Sequence, residues 1–317
     1  MDRLILMETF IRVVDGGSFS AAARKGGISR AAVSKYMVAL EEHLGVRLIN
    51  RTTRQLHLTE EGEMYYQRCR RILEDLLEAE QIVTHQHAAP RGLLRVTAPI
   101  SFGRLHLVGV AADFLLKFSG IEMDLVLNDR FVDLVEEGFD VGVRIGTLRD
   151  SSLMARRLAS SGLVLCASPE YVARFGQPMV PEDLVGHACL LYSYAASPNV
   201  WRFGFKGEER VVRVKGSLRC NNGEALQAAV RAGLGIAILP SFLIEGDLRT
   251  RTLLPLLSDF LLPQLGIYAV YPSNRHLSVK VRTFIDFLVV QLGACADWSG
   301  GDKGVHTSRG EIAQDNL

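Results

Sequence analysis

No apolar run in the chain is long enough to cross a bilayer, and the short apolar patch at its N-terminus is interrupted by Asp2 and Glu8, with no small-residue cleavage site behind it. Neither a membrane-spanning nor an exported protein is expected. Its five cysteines, Cys69, Cys166, Cys189, Cys220 and Cys295, are odd in number, widely spaced and free of CxxC or Cys/His metal spacing. This argues against a disulfide framework and a metal site, and for a reducing, cytoplasmic setting. GxSxG, P-loop and HExxH runs are missing and the eight histidines are scattered, so catalysis has no constellation to rest on. An enzyme is not expected, nor any cofactor.

With 317 residues, 48% of them apolar, there is material for two or three structural units. The net charge of +1 hides an uneven distribution. Between Ser20 and Leu58 stand seven basic residues, Arg24, Lys25, Arg30, Lys35, Arg47, Arg51 and Arg54, against Glu41 and Glu42. From Thr59 to Glu80 the sign reverses, with seven acids against Arg68, Arg70 and Arg71.

The basic island has the texture of a helix-turn-helix. A first helix is expected from Arg3 to Asp15, with Met7, Phe10 and Val14 inward, ended by Gly16 and Gly17. Ser18 can cap a short second helix whose Ala21, Ala22 and Ala23 allow close packing; Gly26, Gly27 and Ile28 turn the chain, and Ser29 caps a third. There Val33, Met37, Leu40 and Leu44 form an inward stripe, leaving Arg30, Ala31, Ser34 and Lys35 outward at the end that meets base edges in such motifs. Arginine and lysine can donate to guanine, serine to a base or phosphate, and an alanine methyl can pack on thymine. A merely solvated helix face would look the same in isolation; the turn before it and the basic hairpin after it decide for DNA. That hairpin spans Arg47 to Leu58 and carries Asn50, Arg51, Thr52, Thr53 and Arg54 at its tip, suited to phosphates or the minor groove.

A long helix should follow, capped by Thr59, with Glu60, Glu61 and Glu63 in its first turn. Tyr65, Cys69, Ile72, Leu76, Ala79 and Val83 repeat at intervals of 4, 3, 4, 3 and 4, a narrow seam of the kind that joins two helices. Dimerisation is preferred over a stripe facing its own domain. His85, His87, Ala88, Ala89, Pro90, Arg91 and Gly92 are then expected to form the hinge between domains.

The opening MDRLILMETFIRVVDGGSFSAAARKGGISRAAVSKYMVALEEHLGVRLINRTTRQLHLTEEG resembles the N-terminal signature of the LysR-type transcriptional regulators, and the resemblance continues to about Leu292. It implies a winged helix-turn-helix, a dimerising linker helix and an effector-binding domain similar to periplasmic binding proteins, usually in a tetramer. By position, Arg30, Ala31, Ser34 and Lys35 match the base-reading part of the recognition helix, and Arg51 and Arg54 the wing. Many members carry Gln-Pro in place of Arg30-Ala31, and Arg in place of Lys35. The implied partners are double-stranded DNA, further copies of the chain and a small-molecule effector, with RNA polymerase as an additional candidate. The implied location is the bacterial cytoplasm, at the nucleoid.

From Leu93 the pattern alternates between strands and helices, as in doubly wound α/β sheets. Strands are expected at 93–98, 121–127, 140–145, 235–239 and 265–271, and helices at 105–118, 131–137, 223–232 and 279–292. The expected organisation is a DNA-binding domain at 1–59, a linker helix at 60–88, a hinge at 89–92 and an effector domain at 93–292. Within the last, subdomain I takes about 93–163 and 267–292 and subdomain II about 164–266, joined by two crossovers; 293–317 reads as a disordered tail. Ligands of such sheets lie beyond the carboxyl ends of the strands. There Thr97, Pro99, Ser101 and Phe102 precede a helix, Asn128 and Arg144 follow strands, and Trp201, Asn222 and Gly223 come from subdomain II. Hydroxyls and free helix amides would suit a small organic anion. Pro99 and Gly223 also fit plain turns, Trp201 fits a core, and Arg144 has Asp140 and Asp129 as alternative local partners. A solute-binding protein would explain the C-terminal domain alone, but not the basic unit in front of it.

Overall fold

The computed structural model describes residues 2–51, 56–83, 89–148, 152–273, 277–295 and 298. They fall into two compact units, 1–88 and 89–317.

In the first unit α1 (Arg3–Asp15), α2 (Phe19–Gly26) and α3 (Arg30–Leu44) surround a core containing Leu6, Phe10, Val13, Ala22, Val33, Met37 and Leu40. Each helix starts on a short polar side chain: Asp2, Ser18 and Ser29 accept the amides of Leu4, Ala21 and Ala32. Gly27, with φ +65°, closes α2 in the left-handed region, and the amide of Ile28 returns to the carbonyl of Ala23. The inward face of α1 is rotated from the expected one. Leu6, Thr9, Phe10 and Val13 are buried, whereas Met7 and Val14 are half-buried.

The wing follows as β1 (Ile49–Arg51) and β2 (Leu56–Leu58), antiparallel with Ile49 opposite Leu58. Then comes α4 (Glu60–Val83). Thr59 holds the two together: its Oγ1 accepts the amide of Gly62 at 2.9 Å and donates to the carbonyl of Arg47 at 2.7 Å. Gly62 lies against the wing so closely that a Cβ would stand 2.0 Å from the carbonyl oxygen of Leu48.

The second unit begins with β3 (Gly92–Ala98), so Gly92 is already strand and not hinge; residues 84–88 lie outside the described ones. Next come α5 (Ile100–Phe102), a π turn (Gly103–Leu107) and α6 (Val108–Lys117), which run on as one helical path that starts earlier than expected. After β4 (Ile121–Leu127), the expected helix at 131–137 is not formed. Asp133 accepts the amides of Val135 and Glu136, making a single turn that Gly138, at φ +76°, ends. Then follow β5 (Val141–Ile145), β6 (Leu153–Ser161), β7 (Leu163–Ala167), α7 (Pro169–Phe175), β8 (Leu191–Tyr192), β9 (Val200–Phe205), β10 (Glu208–Arg213) and β11 (Arg219–Cys220). The chain closes with α8 (Gly223–Arg231), β12 (Ala237–Pro240), α9 (Ser241–Thr250), β13 (Leu254–Pro255), β14 (Leu265–Pro272) and α10 (Val279–Cys295).

A five-stranded sheet, ordered β4-β3-β5-β14-β6, forms subdomain I. Strands β4, β3 and β5 are parallel, while β14 runs antiparallel to β5 and β6. The chain crosses at Gly162 into the antiparallel β12-β7-β13 sheet of subdomain II and returns at β14. A continuous core runs from Leu94, Val96 and Phe284 in subdomain I through Phe102 and Phe242 to Leu239 in subdomain II.

Part of the segment expected to be a disordered tail is ordered: α10 runs through Cys295, and Trp298 is packed. Trp298 is 8% exposed, and its carbonyl accepts from the amide of Gly162, at 2.7 Å, and from Ser241 Oγ. Its indole lies 4.6 Å from the ring of His106 and 5.9 Å from that of Phe102, centroid to centroid. The apolar mass of one indole outweighs the polar composition around it. Residues 296–297 and 299–317 lie outside the described ones.

Candidate nucleic-acid interface and effector cleft

The stripe Val33, Met37 and Leu40 anchors α3, so the opposite face of the helix is left to solvent. Ser29, Arg30, Ala31 and Lys35 are exposed and Ser34 is half-buried. Among the described residues neither Arg30 nor Lys35 makes an ion pair, which leaves two cations on one helical end. The role of Ser29 is also structural, since its hydroxyl caps α3. Glu41, which sequence reasoning passed over as a stray acid, is spent inward: Oε1 accepts the amides of Leu48 and Ile49 at 2.9 and 3.2 Å. It fixes the wing to the recognition helix while keeping its charge away from the exposed cations. Thr52 and Arg54, and the side chain of Arg51, lie outside the described residues.

The helical seam of α4 is divided. Its start covers the chain's own α1: Tyr65 meets Phe10 at 5.7 Å between centroids, Cys69 is fully buried, and Tyr66 donates to Asp15 at 2.5 Å. Burial pushes the pKa of the Tyr65 phenol and the Cys69 thiol upward. Cys69 is therefore a core residue, and Tyr65 is half-buried against α1, which supplies the cover that the spacing alone left unassigned. Further along, Ile72 and Leu76 are 45% and 37% exposed. The side chain of Val83 lies outside the described residues.

In the second unit the expected cleft residues part company. Trp201 is buried in the core of subdomain II with Phe203 and Val212, its Nε1 donating to the carbonyl of Pro198 at 3.2 Å. It is a core residue. Thr97 alternates with Val96 and Ala98 along β3 and stands opposite Gly142, on the face covered by Val132, Leu134 and Phe139. Its Oγ1 is buried without a partner there. Arg144, two residues beyond Gly142 on that face, donates to the carbonyls of Val132 and Val143, both at 3.3 Å, under the ring of Phe131. Burial lowers its pKa. Neither Asp140 nor Asp129 is its partner: Asp140 accepts the amide of Arg95. Asn128 shapes a turn, accepting from the amide of Arg130.

Pro99, Ser101, Asn222 and Gly223 do converge between the subdomains. Pro99 stands at the start of the helical path and Asn222 caps α8 through its Oδ1. Ser101 is 7% exposed, with Oγ unpartnered and 3.7 Å from where a Cβ of Gly223 would lie. Phe102 points away from them, into the aromatic group with His106, Phe242 and Trp298. Of the helix amides expected to draw an anion, the first, that of Ile100, is already taken. Asp129 Oδ1 accepts from the amide of Ile100, and its Oδ2 accepts from Asn222 Nδ2, both at 2.9 Å. A second polar link, Arg104 to Glu224 at 3.1 Å, also joins the subdomains. Tyr192 lies near; burial, then the Asp129 charge, raises its pKa to about 12. Asp129 and Tyr192 were not singled out in the sequence as cleft residues; the only signal was an Asn-Asp pair directly after a strand.

Residues 4–63 match the bacterial regulatory helix-turn-helix protein family of lysR type, and residues 87–292 match the LysR substrate binding domain. The chain belongs to the LysR family of bacterial transcriptional regulators. It is 37% identical over 288 residues to the HTH-type transcriptional regulator CrgA of Neisseria meningitidis, covering 90% of this chain and 96% of CrgA. It is 37% identical over 284 residues to the regulator PtxR of Pseudomonas aeruginosa, covering 90% and 91%. Among solved structures, CrgA aligns with TM-score 0.59 at 36% identity, covering 91% of this chain and 98% of that one. The Vibrio cholerae virulence activator AphB aligns with TM-score 0.57 at 31% identity, covering 92% and 99%. This LysR-type chain is thus a DNA-binding regulator of transcription whose C-terminal domain is of the effector-binding kind. Among its described residues no helix is long and apolar enough to cross a membrane.

Proposed function

We propose that α3 reads sequence through Arg30, Ala31, Ser34 and Lys35 in the major groove, while Ser29 and the wing residues Arg51, Thr52 and Arg54 hold the backbone and the minor groove. The observation that carries this is the pair of exposed cations, without an ion pair among the described residues, at the N-terminal end of a helix braced from behind and tied to a wing by Glu41. The second half of α4 pairs two chains through Ile72 and Leu76, the tetramer being built from such pairs. The effector enters between the subdomains beside Ser101, Asn222 and Gly223 and shifts the placement of the DNA-binding units by its difference in affinity between two states. The chain acts by binding alone, in the bacterial cytoplasm at the nucleoid, with RNA polymerase as a further partner.

A gel shift with DNA from upstream of its own gene tests the reading. Retarded bands that resist excess random DNA are expected; equal competition by random DNA would overturn it.

A further inference from the structure

The junction between the two subdomains is spanned by a carboxylate that belongs to the chain. Asp129 sits at the end of β4, takes the amide of Ile100 with one oxygen and the side-chain amide of Asn222 with the other, both at 2.9 Å. Asn222 is itself fixed, because its Oδ1 caps α8. The geometry is that of a bound anion at a helix start, supplied from within.

Beside it, Ser101 Oγ is buried and unpartnered, facing Gly223 across the junction. A buried hydroxyl without a partner is costly unless something arrives to satisfy it. Glu224 is paired with Arg104 and Glu137 with Arg130, whereas Asp129 is held by neutral amide donors. Tyr192, held neutral beside Asp129, and Tyr194, 6.0 Å from it ring to ring, add aromatic surface and hydroxyls. An incoming carboxylate would meet the like charge of Asp129, where the Ile100 amide and the Asn222 side-chain amide are already engaged. An incoming donor would find two acceptors, Asp129 and Ser101.

Taking the cleft as the effector site, as in the reading above, we propose that Asp129 is an internal occupant of the anion subsite, clamping the subdomains through Asn222. The effector head received beside it is a hydrogen-bond donor, an ammonium, amide or hydroxyl group, and not a carboxylate. Binding then exchanges the Asn222 amide for the ligand's donor at Asp129, and so couples occupancy to the opening of the clamp.

The test is thermal unfolding of the full chain with two kinds of probe. Acetate is compared with chloride at equal ionic strength on the wild type and on Asp129→Ala. The variant, with the Ile100 amide and Asn222 released, should be stabilised saturably by acetate and not by chloride, whereas acetate should leave the wild type unchanged. Acetate acting alike on both proteins, or on neither, would overturn the internal occupant. Phenethylamine and phenylacetate then present opposite heads on one aromatic body. The wild type should respond to the amine alone, and Asp129→Ala to the acid. Stabilisation of the wild type by phenylacetate, or by neither compound, would overturn the donor head. If Asp129→Ala does not fold, Asp129→Asn keeps the shape and should lose the amine response; retention of that response overturns the proposal. Selective DNA binding is measured separately. A chain that failed the gel shift yet showed this reversal would refute the regulator and leave the subsite standing, whereas the converse would refute only the subsite.

Discussion

The carboxylate of Glu41 on the recognition helix accepts the backbone amide of Leu48 at 2.9 Å, and that of Ile49 beside it, at the root of the wing. Two amides that would otherwise be partly buried and unpaired depend on one side chain. Glu41→Ala should lower the stability of the DNA-binding unit by about 1.5–3 kcal/mol, the range for hydrogen bonds to a charged group. Glu41→Gln, which keeps one acceptor, should recover part of it. Urea unfolding followed on that unit gives the numbers, and an unchanged midpoint for Glu41→Ala would show that the wing holds its place unaided.

Base readers and backbone anchors separate by their response to DNA sequence. Arg30→Ala and Lys35→Ala should each cost about 1–3 kcal/mol on the cognate operator and much less on random DNA. Arg54→Ala should weaken both and reduce the salt dependence of binding by about one phosphate contact. Equal losses on both DNAs for all three variants would remove the reading face from α3.

The close approach of α4 to the wing makes Gly62 sensitive to a single methyl. A Cβ at 2.0 Å from the Leu48 carbonyl cannot be accommodated without moving backbone. Although alanine is the better helix former by about 1 kcal/mol, Gly62→Ala should destabilise the unit. A melting temperature equal to or above the wild type would mean that α4 can slide away from the hairpin.

His106 lies beneath Phe102, Phe242 and Trp298, where burial lowers its pKa, the Phe242 carbonyl and the Glu245 charge opposing the shift only in part. Folding therefore favours the neutral ring, and the unfolded chain binds the extra proton. The stability this contributes is present above the ordinary histidine pKa and lost as pH falls from about 6.5 toward the lower folded value. His106→Gln should flatten that part of the melting-temperature profile between about pH 7 and pH 5. Parallel profiles for wild type and variant would assign the acid sensitivity to carboxylates instead.

The division of the α4 seam also has a measurable side. Ile72→Glu and Leu76→Glu alter exposed positions, so they should shift sedimentation toward the monomer with little loss of unfolding free energy in the monomer itself. Cys69→Asp, placing a charge in a fully buried site, should instead unfold the unit. An unchanged oligomer in the first pair would place the chain-to-chain contact elsewhere.

The DNA-binding unit was legible because its signals are local: a serine cap, a left-handed glycine and a stripe at helical spacing each act within one turn of the chain. What could not be read was which surface covers which. Tyr65 and Cys69 carry the same spacing as Ile72 and Leu76, yet Tyr65 packs on Phe10 and Cys69 is fully buried, whereas Ile72 and Leu76 are exposed. In the second unit β6 escaped notice because it lies at the sheet edge, where Arg156 and Arg157 face solvent and break the apolar run. The helix expected at 131–137 failed because Asp133 offered its own oxygen to the amides that a helix would need. Loop position correctly brought Ser101, Asn222 and Gly223 to one junction, but could not show that Asp129 would reach the side-chain amide of Asn222. That contact joins residues 93 positions apart.

Trp298 gives the molecule an optical gauge of its own. The sequence holds two tryptophans, and Trp201 is locked inside subdomain II. The other rests where the crossover at Gly162, α9 and the helical path behind Ser101 come together. With Trp201→Phe as background, a change in indole emission on adding a ligand reports movement at that meeting point, without any label attached to the protein.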